Sequence, residues 1–86
     1  MSDNAVNITV LLFGACREAA GTGELRCTLS SPATAADAWS ALKQRIPALA
    51  QFERTALVAV NEEHAGLAHP VQDGDTVAIF PPVSGG

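Results

Sequence analysis

Residues 34–45 can form one amphipathic helix with both ends specified, and that helix constrains everything around it. Thr34 is a good N-cap, and Asp37 stands at the capping-box position, where Glu or Gln is more usual. Ala35, Ala38, Trp39, Leu42 and Ile46 recur at helical spacing and make one apolar stripe. Lys43 and Arg45 fall in the last turn, where positive charge suits the helix dipole. Pro47 forbids continuation. The only tryptophan, Trp39, sits in the middle of the stripe and reads as core.

The segments on either side carry a two-residue period. Val6, Ile8, Val10 and Leu12 share one face of a strand over residues 6–13. The opposite face reads Asn7, Thr9, Leu11, Phe13, polar at first and apolar at the end. A sheet with one buried face should stay polar there. Leu11 and Phe13 therefore either lie under a short helix or form an exposed apolar patch of the kind that marks a partner site. Residues 14–20 allow a short helix, stopped by Gly21 and Gly23. A second strand over residues 24–29 points Leu25, Cys27 and Leu29 inward, and Ser30-Ser31-Pro32 breaks it. Residues 48–54 read as a linker with room for one helical turn. Residues 57–60 read as a central strand buried on both sides. Asn61-Glu62-Glu63 is a turn, and residues 65–70 are irregular or a short edge strand. Asp73-Gly74-Asp75 is a tight-turn signal before a last strand over residues 76–80. Val77 and Ile79 share one face of that strand, Ala78 and Phe80 the other.

Composition narrows the function classes. The 86 residues suit one small domain, 1–86, with 81–86 as a functional tail. A hydrophobic fraction of 48% argues against disorder. The formal net charge of −4 repels phosphate backbones, so no nucleic-acid partner is expected. The start Met1-Ser2-Asp3-Asn4 lacks a basic leader, and the apolar run Val10-Leu11-Leu12-Phe13 is too short to span a membrane. A cytoplasmic protein is expected, with no membrane partner. Cys16 and Cys27 have neither metal-site nor disulfide-framework spacing and read as small buried apolar groups. No metal is expected. His64 and His69 have no evident Ser or Cys partner and read as solvated or structural histidines in a loop region.

The order strand, strand, helix, strand, strand predicts an α+β domain, one main helix packed across a mixed sheet. The first and last strands would pair in parallel at its centre, in the ubiquitin-like β-grasp arrangement with a projecting C-terminal tail. That tail is Pro81-Pro82-Val83-Ser84-Gly85-Gly86. The prolines stiffen the approach. Gly85 and Gly86 place no side chain near the carboxylate, so a narrow active site could admit it.

Three stretches carry a specific resemblance. They are Phe13-Gly14-Ala15-Cys16-Arg17-Glu18 after the first strand, Val60-Asn61 at the end of a later one, and the closing block from Asp73 through Phe80-Pro81-Pro82-Val83-Ser84-Gly85-Gly86. Together they resemble the small, sulfur-carrier subunits of molybdopterin synthases, over nearly the whole chain. The resemblance implies a carrier that is not catalytic by itself and binds no cofactor. An activating enzyme would use ATP to adenylate the Gly86 carboxylate, which is ionised near neutral pH. A sulfur donor would convert the adenylate to a thiocarboxylate. The catalytic large subunit would admit Gly85 and Gly86 and pass the sulfur to a cyclic pyranopterin precursor, two transfers building the molybdopterin dithiolene. The resemblance also implies a partner interface of Leu11, Phe13, Phe80, Pro81, Pro82, Val83 and Ser84, with two carriers flanking a dimeric large subunit. Two positions depart from the family pattern. Thr76 stands where Glu is frequent, and His64 where an apolar, partner-facing residue is frequent. Alternatives within reach are a sulfur carrier for thiamine or another thiolation pathway, a ubiquitin-like modifier joined to lysines, and an interaction domain with an inert tail.

Overall fold

The computed structural model describes residues 4–81. Its first strand, β1 (Ala5–Leu12), leads into a short helix, α1 (Gly14–Ala20), and then into β2 (Glu24–Ser30). A two-residue strand, β3 (Ala33–Thr34), precedes the main helix, α2 (Ala35–Arg45). A 3-10 helix over Pro47–Phe52 follows, then β4 (Leu57–Val60), β5 (Glu63–Ala65), β6 (Pro70–Val71) and β7 (Thr76–Phe80).

Five strands form one sheet in the order β2-β1-β7-β4-β5. Its central pair is parallel, β1 against β7, with Val10 opposite Val77 and Leu12 opposite Ile79. The other neighbours are antiparallel. This mixed sheet, crossed by one helix, is the predicted β-grasp arrangement. Alternation explains the core. Val6, Ile8, Val10 and Leu12 of β1 are buried together with Val77 and Ile79 of β7 and Val58 and Val60 of β4. The same cluster takes in Ala35, Ala38, Trp39 and Leu42 of α2, so the helix stripe closes one face of the sheet.

The ends of α2 follow from its sequence. Asp37 N–H donates to Thr34 Oγ1 at 3.4 Å, and Thr34 N–H donates to Asp37 Oδ2 at 2.8 Å. The capping box is complete although Asp replaces the usual Glu. Ile46 lies just beyond the last turn and is half-buried against the core. Arg45 does more than face the dipole: its Nη1 donates to the Arg26 carbonyl at 2.7 Å, on β2, an edge strand. Helix α1 ends where Gly21 adopts φ 77°, a left-handed value, and donates its N–H to the Arg17 carbonyl at 2.9 Å.

Four sequence expectations need correction. Residues 48–54 hold more than the single helical turn expected, because Pro47 presets φ at the start of a 3-10 helix over Pro47–Phe52 whose Leu49 is fully buried. Strand β4 is interior to the sheet, between β7 and the edge strand β5, and is buried on both faces at Val58, Ala59 and Val60, but its first residue, Leu57, is exposed. The turn after β4 uses only Asn61 and Glu62, with φ of 51° and 75°, so Glu63 and His64 belong to β5. Two left-handed residues in succession are what a two-residue hairpin requires. Finally, β3 and β6 pair as a small separate ribbon, Ala33 opposite Val71. Two residues per strand carry no periodicity to detect.

Candidate functional site

The face of the sheet opposite α2 is only partly polar. Residues directly opposed across neighbouring strands share a face. Leu11 of β1 opposes Ala78 of β7, Ala78 opposes Ala59 of β4, and Ala59 opposes His64 of β5. These four residues therefore form one row across four strands. The next row begins at Phe80, which opposes Leu57. Phe13, the residue after β1, stacks on Phe80 with ring centroids 4.8 Å apart and planes 8° from parallel. Its N–H donates to the Ile79 carbonyl at 3.2 Å, which continues the β1–β7 pairing past the strand end.

The result is an open groove. Its floor is low because Ala59 and Ala78 are small, and the stacked phenylalanines rise at one end. Asn61, Glu62, His64 and Thr76 supply a polar rim. Toward β2 the same face turns polar, with Asn7, Thr9, Glu24, Arg26 and Thr28 in register. Phe13 is 40% exposed and Leu57 is 44% exposed, values high enough that both would lose water contact under a docked partner.

The rim is held in place by hydrogen bonds. Asn61 Nδ2 donates to Asp75 Oδ1 at 3.0 Å, and Thr76 N–H donates to Asn61 Oδ1 at 3.0 Å. One side chain thus ties the β4–β5 turn to the start of β7. Its bond to Asp75, followed by that from the Gln72 N–H, holds the Asp75 carboxyl below its ordinary range; burial opposes them, and the field of His69 adds the smallest contribution.

The structure brings Leu11, Phe13 and Phe80 together in one apolar patch and places Pro81 at its end, half-buried. Pro82, Val83, Ser84, Gly85 and Gly86 lie outside the described residues. Of the two ways Leu11 and Phe13 could be accommodated, the exposed patch is the one observed. His64 faces this groove from an edge strand rather than from a loop. His69 contributes its carbonyl to the Ala35 N–H at 2.9 Å, beside the start of α2.

Leu57 was missed. Its alternation with Val58 put it on this face, but the apolar run Leu57-Val58-Ala59-Val60 hides that. Cys16 and Cys27 are free and buried, and burial pushes the Cys16 thiol up, away from a reactive thiolate. Among the described residues no group of three or more His, Cys, Asp or Glu could hold a metal ion, and no helix is long and apolar enough to cross a membrane. What the groove can do chemically is bind, through apolar area and aromatic anchors.

Comparison with known proteins extends this picture. Residues 10–86 match the model of the ThiS family. The molybdopterin synthase sulfur carrier subunit of Arabidopsis thaliana is 35% identical over 83 residues, covering 96% of this chain and 86% of that one. The subunit of the same name from Escherichia coli is 38% identical over 85 residues, covering 92% and 99%. Among solved structures, SAMP1 from Haloferax volcanii superposes with a TM-score of 0.82 at 34% identity, covering 93% of this chain and 99% of that one. The chain belongs to the ThiS family, with a ubiquitin-like β-grasp fold and with molybdopterin synthase sulfur carrier subunits among its relatives.

Proposed function

We propose that this chain is the sulfur carrier of a molybdopterin synthase and that it acts in the cytoplasm as a subunit without catalysis of its own. The observation that carries the reading is the 38% identity to the Escherichia coli carrier subunit, which spans 92% of this chain. The mechanism is that of an activated C-terminus. The Gly86 carboxylate attacks the α-phosphate of ATP on an adenylating partner, releasing pyrophosphate. A sulfur donor then displaces AMP from the acyl-adenylate and leaves a thiocarboxylate. In the large subunit that sulfur moves to the cyclic pyranopterin precursor, and two such transfers complete the dithiolene. The assembly has two carriers on a large-subunit dimer. The carrier's own contribution is docking. Strand β7 runs through the groove and ends at Phe80, so a partner that covers the groove also takes hold where Pro81 leads into the tail.

The test is reconstitution. The chain carrying a terminal thiocarboxylate, mixed with a large subunit and precursor, should yield molybdopterin. Intact mass should show one oxygen replaced by sulfur before the reaction and the ordinary carboxylate after it. A chain that supports no conversion sinks the reading.

A second reading draws on the 34% identity to SAMP1 of Haloferax volcanii, a small archaeal modifier protein. A modifier would pass the same activated carbonyl to a lysine amine and form an isopeptide. Conjugates to other proteins in cells, in place of the sulfur-for-oxygen mass change, would favour it.

Docking gives a prediction of its own. Aromatic anchors dominate many interfaces, so Phe80→Ala should weaken binding to the large subunit by about 2 kcal/mol or more, roughly thirtyfold in Kd. Titration calorimetry with a variant of native circular dichroism measures it. Unchanged affinity would remove Phe80 from the interface.

A further inference from the structure

The start of α1 touches the end of β7 at one unusual point. Gly14 has φ +54°, in the left-handed region. A Cβ built on Gly14 would lie 2.9 Å from Pro81 Cγ and 3.5 Å from Pro81 Cδ. The first distance is shorter than real Cβ contacts allow, and the obstructing atom belongs to a ring closed on its own backbone, which can give way only by changing pucker or by moving the chain. Side chain and ring cannot both be where they are. The neighbours on either side are also fixed: Phe13 stacks on Phe80, and the Phe13 N–H is bonded to the Ile79 carbonyl. A displacement forced at Gly14 therefore falls on Pro81, the last described residue before the tail.

We infer that Gly14 is a positioning residue for sulfur transfer: the absence of its side chain makes the seat for the Pro81 ring, and the seated ring sets the direction in which the chain continues toward Gly86. The inference rests on the sulfur-carrier reading and adds to it a residue on a different element. Proline fixes its own φ, so the orientation of its ring and the exit direction of the chain are coupled. Reacting groups tolerate little misplacement, and about 1 Å can cost on the order of a hundredfold in rate. The seat lies beside the docking groove but is not part of its lining. Its loss should act on the transfer step more than on affinity.

The experiment compares four carriers: wild type, Gly14→Ala, Pro81→Ala and the double variant. Each is thiocarboxylated, bound to the large subunit, and followed in a single turnover. For Gly14→Ala the transfer rate should fall about tenfold or more while Kd changes less than about threefold. Pro81→Ala removes the ring atom that clashes and leaves only the strain of an alanine at the left-handed φ of residue 14, so the double variant should lose clearly less than the product of the two single losses. That non-additivity is the signature of a shared contact. A purely conformational role for Gly14, through its φ alone, predicts instead that the two losses multiply. Multiplying losses, or a Gly14→Ala carrier with an unchanged rate, overturns the inference. The seat is also a property of the isolated chain. Nuclear Overhauser contacts between Gly14 Hα and the Pro81 ring should be present in the wild type, and the ring signals should move in Gly14→Ala. Their absence or immobility overturns the seat even if sulfur transfer proceeds. A wild-type carrier that shows the contact but transfers no sulfur leaves the seat standing and refutes the carrier reading.

Discussion

Deleting Gly86 is expected to abolish sulfur transfer and to leave the folded domain unchanged. The two halves of that result have separate causes. The core of the described residues runs from Val6 to Ile79, and Gly86 lies beyond it in sequence, so the domain is expected to stand without the terminal residue. Unfolding curves of the deletion variant and the wild type should superimpose. The chemistry, in contrast, depends on reach. A truncated chain still ends in a carboxylate, but about 3.3–3.6 Å short of where it should be. Reacting atoms must approach within about 3–3.5 Å in a near-attack arrangement, so a shortfall of a whole residue leaves the carbonyl outside it. One residue added after Gly86 should fail for the opposite reason, by burying the reactive carbonyl in a peptide bond. Gly85→Ala should slow the reaction rather than stop it, through crowding and lost backbone freedom. Cys16→Ser and Cys27→Ser should leave transfer possible, since both thiols are buried and serve as apolar fill. Molybdopterin formed by the Gly86 deletion in a purified system, or mobile sulfur found on either cysteine, would show that the proposed carrier chemistry is wrong.

The sequence displayed the parts of this fold that repeat over several residues. Eight residues of β1 alternate cleanly, and the eleven of α2 bury one stripe, so both are visible from period alone. The paired strands β3 and β6 are two residues each, and Leu49 is buried by a 3-10 helix whose tight turn does not follow the 3.6-residue period. Neither feature repeats often enough to be read. The candidate site divides in the same way. That Leu11, Phe13 and Phe80 fall outside the buried alternation is a local fact. That Leu11, Ala78, Ala59 and His64 align in one row is a fact about register between strands as far apart as residues 11 and 78. Register is fixed by tertiary packing and turn geometry rather than by any one strand. Leu57 and the Gly14–Pro81 seat were hidden for that reason: each becomes visible only when β7 is laid beside its neighbours.

Trp39→Ala should cost about 3–5 kcal/mol, the usual range for truncating a buried aromatic to alanine. The side chain is 5% exposed and belongs to the same core cluster as Leu42, Val58 and Val60. An 86-residue chain buries only about 60–65% of its unfolded surface, and domains of this size hold stabilities at the low end of about 5–15 kcal/mol. The substitution therefore removes a large share of what keeps the chain folded. The damage should also have a direction. Trp39 lines a cleft with Leu57, Val58 and Ala65, on β4 and β5, the strands that present Ala59 and His64 to the docking groove. Loosened packing there should weaken partner binding even in molecules that stay folded, whereas the conservative Trp39→Phe should retain most of both properties. Trp39 is the only tryptophan and there is no tyrosine, so fluorescence cannot follow the alanine variant. Urea unfolding monitored by far-UV circular dichroism can, provided the m-value matches the wild type. A loss below about 1 kcal/mol would mean that the helix stripe does not close on the sheet through Trp39, and the account of how α2 supports the groove would fail with it.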